Sequence, residues 1–217
     1  MKQFKTISLA DQVYEKIEND IISGVFPRGE ILTELRLVEM MGVSRTPIRE
    51  ALRRLEQERL IQESGKGSVV LGITQEDLED IMDIRQRIEG LAAYYATKNL
   101  TSEGLAELKR IRDLQKFYYA QQDLENLRKM DDEFHETIYS LSGRQVLEDT
   151  LRPLHRKTQR YKKRSIENKD RLAHSVQEHS DIYEAIVSGD ALLAQKLTTQ
   201  HLENAKKTMI ARFPHEG

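Results

Sequence analysis

Leu9, Val13, Ile17 and Ile21 recur at helical spacing and the run stops at Gly24. This pattern predicts a helix opening behind Ser8, with Asp11 at the third position of a capping box. Pro27 and Gly29 mark a turn, after which Thr33 caps a short helix to Met41 with Leu37, Val38 and Met41 inward and Gly42 as terminator. Ser44 is the expected N-cap of a third helix over residues 45–56, with Pro47 in its first turn, where a missing N–H costs little. On that helix Ile48, Ala51, Leu52 and Leu55 form one stripe, and Arg45, Arg49 and Arg53 form another. Such a helix can dock by its apolar seam and still offer guanidinium groups outward. Past Leu60, the stretch from Ile61 to Val70 reads as two short strands around Gly65-Lys66-Gly67, a hairpin whose bare tip can approach a phosphate or a minor groove.

The pattern changes after Gly72. Strand signals vanish, and helical periods predict six helices over roughly 75–98, 102–121, 124–141, 144–163, 169–188 and 190–211. Gly143, Gly189 and the polar run Glu167-Asn-Lys-Asp170 punctuate them, and the short connections imply an antiparallel bundle. The expectation is a mainly α chain: a winged helix-turn-helix over residues 1–73, then an antiparallel all-helical bundle over 74–217.

Three of the six helices carry polar residues on apolar faces. Asp131, Phe134, His135 and Ile138 share one face; His179 sits with Val176, Ile182 and Ile186; Leu193, Leu197, His201 and Asn204 share a third. Buried polar groups are costly unless satisfied, and any one of these histidines reads most simply as a satisfied core residue. Three imidazoles and one carboxylate in one bundle point further, to a divalent ion held by Asp131, His135, His179 and His201. Three nitrogens and one oxygen suit zinc, nickel or manganese, with open positions for a ligand. A basic stripe of Arg152, Arg156, Arg160 and Lys163 lies opposite Leu147, Leu151, Leu154 and Tyr161 and reads as a solvated face.

Composition narrows the setting. The 217 residues carry no cysteine, which excludes disulfide and thiolate chemistry, and no run approaches the length of a membrane span, so a cytoplasmic protein without a membrane partner is expected. Net charge is −2, and residues 1–72 hold 11 Lys/Arg against 11 Asp/Glu. Nucleic-acid binding must therefore rest on where charges sit rather than on their sum.

The stretch Glu34, then Gly42-Val-Ser-Arg-Thr-Pro-Ile-Arg-Glu-Ala-Leu52, Leu55, Leu60 and Gly65-Lys-Gly67 resembles the DNA-binding domain of the GntR family. The resemblance implies a recognition helix in the major groove with Arg45, Thr46 and Arg49 at bases or phosphates. Gly67 is then at the minor groove, and Arg36, Ser44, Arg53 and Lys66 complete the DNA-facing set. Two positions depart from the pattern. Leu35 stands where many relatives have arginine, with Arg36 one residue later, and Arg59 stands where glycine is common, a change expected to alter only a surface.

Asp131-Asp-Glu-Phe-His135, Glu178-His-Ser-Asp-Ile-Tyr-Glu-Ala-Ile-Val-Ser-Gly-Asp190 and His201 resemble the FCD effector domain of the FadR subfamily, and Arg85-Gln-Arg-Ile-Glu-Gly-Leu-Ala-Ala93 fits its first helix. The resemblance implies the same four metal ligands and a small carboxylate effector, with Arg85 holding the anion and Asn204 reaching the ligand or metal-bound water. The alternative for Arg85 is an ordinary pair with Glu89 on a helix surface. The combined expectation is a homodimeric regulator, a repressor by family default, that binds double-stranded operator DNA under effector control. Two alternatives stand beside it: a regulator for which the ion itself is the signal, and a metal-dependent enzyme acting on a small acid. No partner acid or base constellation accompanies the second, so no enzyme is expected.

Overall fold

A computed structural model describes the backbone of residues 8–166 and 169–213, and the side chains of these residues except 160–166, 169 and 170. Arg160, Tyr161 and Lys163 of the expected stripe, and the run from Glu167 to Asp170, lie outside the described side chains. The chain forms two compact units, one ending at Thr74 and the other beginning at Gln75.

In the first unit, α1 (Leu9–Ser23), α2 (Glu34–Met41) and α3 (Arg45–Gln57) close around one core. Ser8 caps α1 by accepting from the Asp11 N–H at 3.1 Å, and Gly24 ends it in the left-handed region. Val13, Ile17 and Ile21 are buried as their spacing predicts, but Leu9 stays half exposed while Ala10 and Tyr14 turn inward. Thr33 caps α2 through the Arg36 N–H. Ser44 occupies the N-cap of α3 as expected, although its side chain makes no capping hydrogen bond. On α3, Pro47, Ile48, Ala51, Leu52 and Leu55 are buried. Burying an apolar side chain of this size contributes about 1.5–3 kcal/mol, so this seam fixes which face of α3 remains outward.

The hairpin is present as β2 (Ile61–Ser64) and β3 (Gly67–Val70), but the sheet holds a third strand that the apolar pattern missed. This is β1 (Ile31–Leu32), which pairs antiparallel with β3, giving the order β1-β3-β2. A strand of two residues is too short to display an alternation. Glu56 near the end of α3 accepts from the Glu63 N–H at 3.0 Å and ties β2 to the helix.

Two backbone positions carry constraints of their own. Gly67 has φ +133°, and a Cβ there would stand 2.7 Å from the Leu32 carbonyl oxygen. The glycine is thus required by the approach of β1, independently of any nucleic acid. Arg59 follows α3 with φ 58°. The Leu60 N–H reaches back to the Leu55 carbonyl at 2.9 Å, a helix ending that favours glycine at the left-handed position. Arg59 is therefore a matter of backbone strain as well as of surface.

The second unit consists of α4 (Gln75–Lys98), α5 (Ser102–Ala120), α6 (Leu124–Leu141), α7 (Gln145–Ile166), α8 (Lys169–Val187) and α9 (Ala191–Ala211). Thr101, Asp123 and Asp190 cap α5, α6 and α9. Helices α4 and α9 run antiparallel, with Gly90 against Gln195 and Thr199, and Asp83 paired with Lys206 at 2.6 Å. Ala92, Ala93 and Ala96 of α4 share one core with Leu108, Ile111, Phe134, Ile138, Leu151, Ile182 and Ala194 from the other five helices. No helix among the described residues is long and apolar enough to cross a membrane.

The two strained positions predict opposite outcomes. Gly67→Ala forces β1 away and is expected to cost the first unit about 2 kcal/mol. Arg59→Gly relieves the left-handed residue and is expected to stabilise by about 0.5–1 kcal/mol after the larger unfolded-state entropy of glycine is allowed for. Urea titration followed by circular dichroism reads both.

Candidate functional site

On α3 of the first unit the apolar seam leaves Arg45, Thr46, Arg49 and Arg53 exposed, with Ser44 exposed at the helix start. The arginines differ in what they touch. Arg49 Nε binds both carboxylate oxygens of Glu34 at 2.8 and 2.9 Å. Arg49, and more weakly Arg45, hold the Glu34 carboxyl below its ordinary pKa. Arg36 pairs with Glu30 at 2.6 Å and lies 5.7 Å from the Phe26 ring centroid, so part of its role is to pack α2 against the preceding turn. Arg45, Arg53 and, at the wing tip, Lys66 are exposed and form no ion pair within 4 Å among the described residues, Arg45 acting on Glu34 only from farther off. A groove between α3 and the wing is lined by Glu34, Arg49, Arg53, Glu56, Glu63 and Gly67, so Arg49, Arg53 and Gly67 are brought together there.

In the second unit the expected inward polar residues converge. One ring nitrogen from each of His135, His179 and His201 lies within 4.8 Å of the others, and all three side chains are buried. His179 Nε2 stands 3.2 Å from His201 Nε2 and 3.8 Å from Asp131 Oδ1. The Phe134 ring stacks on His179 with centroids 4.4 Å apart and fixes its plane.

The opposite nitrogen of each ring is fastened. His135 Nδ1 meets Glu89 Oε2 at 3.0 Å, His179 Nδ1 meets Gln115 Oε1 at 3.2 Å, and His201 Nδ1 meets Glu178 Oε2 at 2.7 Å. An ionised carboxylate only accepts, so Nδ1 of His135 and His201 carries the proton. Gln115 spends its amide N–H on the Met130 carbonyl at 3.0 Å, which leaves its oxygen toward His179. The 3.5 Å approach of Arg171 to His201 Nδ1 is too long to compete with Glu178. In the neutral rings Nε2 therefore carries a lone pair rather than a proton, and the Nε2 atoms of His179 and His201 face each other at 3.2 Å. A cation between them turns that repulsion into bonding, and fastening the far nitrogen of each ring is how protein sites orient imidazole ligands.

Charge supports the same conclusion. Around the three rings and His155 stand four carboxylates, Glu89, Asp131, Asp132 and Glu178, against the guanidinium groups of Arg85 and Arg171. Burial pushes Glu178 up, but the hydrogen bonds from His201 and Asn204, with the Arg171 charge, hold it below the ordinary carboxylate range. Burial also works against Glu89, and Arg85 and His135 hold it well below the usual carboxylate range. Burial lowers His201 to about 4 and His155 well below its ordinary value. It raises Asp132 to about 6. Buried carboxylates around converging imidazole nitrogens are a setting for a divalent cation.

Arg85 does not present a free fork, and it is not on a surface. It is buried, with Nε on Glu89 at 2.6 Å, Nη1 on Thr158 at 2.6 Å and Nη2 on His155 Nδ1 at 2.9 Å. The expected pairing with Glu89 is present, but in the interior. Asn204 likewise donates to Glu178 Oε1 at 2.7 Å and acts through the residue that holds His201. His155 was overlooked because it sits among Arg152 and Arg156. Its place four residues after buried Leu151, on the apolar side of α7, was the signal. Arg85 can only donate, so His155 is protonated at Nε2, which donates to Asp132 Oδ1 at 2.9 Å. That Glu89, Gln115 and Glu178 hold the three rings was not visible in the sequence, because the histidines they meet lie on other helices.

Residues 9–70 match the family model for bacterial regulatory proteins, gntR family, and residues 80–204 match the FCD domain. Over 199 residues the chain is 26% identical to the HTH-type transcriptional repressor RspR of Escherichia coli K12, covering 91% of this chain and 87% of that protein. It is 35% identical over 118 residues to the gluconate operon transcriptional repressor of Bacillus licheniformis, covering 54% and 49%. Among solved structures, E. coli McbR/YncC superposes with a TM-score of 0.80 at 22% identity, covering 96% of this chain and all of that one.

Two measurements follow from the proton placement. In metal-free protein, long-range 1H–15N correlation spectra are expected to show His179 and His201 as Nδ1–H tautomers and His155 as the Nε2–H tautomer; a reversed assignment at any of them contradicts the network. Burial holds His155 and His201 neutral, whereas unfolded imidazoles protonate near pH 6.5. Their contribution is thus complete above 6.5 and is lost as pH falls toward 4, by on the order of 3 kcal/mol for His201. Denaturant titrations of chelator-treated protein across that range read the loss.

Proposed function

We propose, for a chain that belongs to the gntR family of bacterial regulatory proteins and carries an FCD domain, that it is a cytoplasmic, homodimeric repressor whose operator affinity is set by a small carboxylate effector. Two copies of α3 read half-sites of a near-palindrome in successive major-groove turns, about 34 Å apart. Arg49 and Thr46 reach base edges, while Arg45, Arg53 and Lys66 meet phosphates. Arginine suits the first task because its planar fork matches guanine O6 and N7, and any cation suits the second.

In the helical unit, Asp131, His135, His179 and His201 hold a divalent ion of the zinc, nickel or manganese class. When bound, the ion supplies a Lewis-acidic point at which an effector carboxylate can be held. The observation that carries this reading is the convergence of three imidazoles whose Nδ1 atoms are all engaged, leaving Nε2 for a ligand bond. Arg85 can meet the effector only by giving up Thr158 or His155, so its first role is to hold Glu89, which holds His135. An effector that exchanges those contacts binds two arrangements of the bundle unequally, which is the requirement for shifting operator affinity.

Two experiments test this. Duplexes recovered by the full-length protein from a randomised pool serve as operator, and fluorescence anisotropy reports binding. Arg45→Ala, Arg53→Ala and Lys66→Ala are each expected to weaken binding evenly across sequences and to reduce the logarithmic salt slope by about 1. Zinc-loaded protein is expected to change its operator affinity by about 5–150-fold on titration with one or more small mono-, di- or hydroxycarboxylates. Chelated protein and His179→Ala protein should not respond. A response to metal alone, unaffected by any acid, would instead make the ion the signal.

A further inference from the structure

The Glu34–Arg49 pair joins two helices of the DNA-binding unit, and its geometry is specific. Glu34 is the first residue of α2, fixed there by the Thr33 cap, and Arg49 lies one turn into α3. The contact is made through Nε alone, which is shared between both Glu34 oxygens, and no hydrogen bond engages Nη1 or Nη2 among the described residues. The Arg49 side chain remains 63% exposed although its charge is paired.

An arginine can approach the O6 and N7 of guanine by two edges. One is the side-on edge, Nε with a neighbouring Nη; the other is the end-on edge, Nη1 with Nη2. Glu34 occupies the first. It also neutralises the side chain, so Arg49 contributes less than Arg45, Arg53 or Lys66 to the sequence-independent attraction of phosphates. It limits the orientations of a long side chain before any duplex arrives, and ordering in advance lowers the cost of making a directional contact.

We infer that Glu34 is a specificity-determining positioning residue: it holds Arg49 by Nε so that only the end-on guanidinium edge is offered to a base pair. The inference rests on the reading that Arg49 contacts a base. Its signature is a division of labour among cations. The paired arginine reads sequence, and the unpaired cations supply attraction. Removing Glu34 should therefore worsen discrimination while strengthening binding to arbitrary sequence, because the loss of an acid raises the positive charge of the surface. A merely structural role for Glu34 would lower both together.

The test compares full-length wild type, Glu34→Ala, Glu34→Gln and Arg49→Ala by selection from a randomised duplex pool. It adds anisotropy on a fixed random-sequence duplex and thermal melting. Arg49→Ala is expected to lose base preference at one position per half-site. Glu34→Ala should lose preference at that same position on the order of fivefold or more, the range of a bidentate contact, while gaining affinity for the random duplex at an unchanged melting temperature. Glu34→Gln keeps an acceptor oxygen for Nε and should retain part of the preference. A wild-type selection profile for Glu34→Ala, or an even loss at every position with a lowered melting temperature, overturns the inference while leaving Arg49 as a base contact. An unchanged profile for Arg49→Ala removes that reading and the inference with it.

Discussion

A histidine ring carried into a helical interior has two nitrogens to satisfy, and the second unit is organised around meeting that requirement three times at one place. Glu89 on α4, Gln115 on α5 and Glu178 on α8 each take an Nδ1 proton, and the rings they hold come from α6, α8 and α9. Arg85 continues the network to His155 and Thr158 on α7. All six helices of the bundle thus meet in one polar network beneath an otherwise apolar core. A buried partner removed from such a network leaves the remaining polar group at full desolvation cost, so packing and site stand or fall together.

The first unit meets a different constraint: it must attract a polyanion while carrying almost no net charge. The neutral sum conceals a sorting. Lys16, Arg36, Arg49 and Arg54 are each paired with an acid, at Asp20, Glu30, Glu34 and Asp11. Arg45 and Arg53 on the outer stripe of α3, and Lys66 at the wing tip, stand exposed. Since the apolar seam of Ile48, Ala51, Leu52 and Leu55 determines how α3 docks, the same burial that stabilises the fold determines which cations face outward.

What was legible in the chain was whatever repeats. Long helices announce themselves because every third or fourth residue must be apolar, and His135, His179 and His201 stood out because they interrupt such faces. What was not legible depends on pairing between distant segments. The strand at Ile31–Leu32 exists through β3, Glu34 finds Arg49 fifteen residues on, and Gln115 finds His179 across sixty-four. Arg85 illustrates the limit. Its helical spacing to Glu89 was visible, but whether that pair lay in water or in the interior was a property of α7 and the side chains it brings. Arg59 was visible as a departure from pattern, and only its backbone angle shows why glycine is common at that place.

The fold brings one ring nitrogen of each of His135, His179 and His201 close together in the interior, and the proposed metal site depends on that convergence. X-ray absorption at the zinc edge, on protein loaded with one equivalent of zinc, reports the identity and number of the atoms bonded to the ion. Three imidazole nitrogens at about 2.0–2.1 Å with at least one oxygen is the expected result. A sub-stoichiometric ion, or one bonded to fewer than three imidazoles, would contradict it.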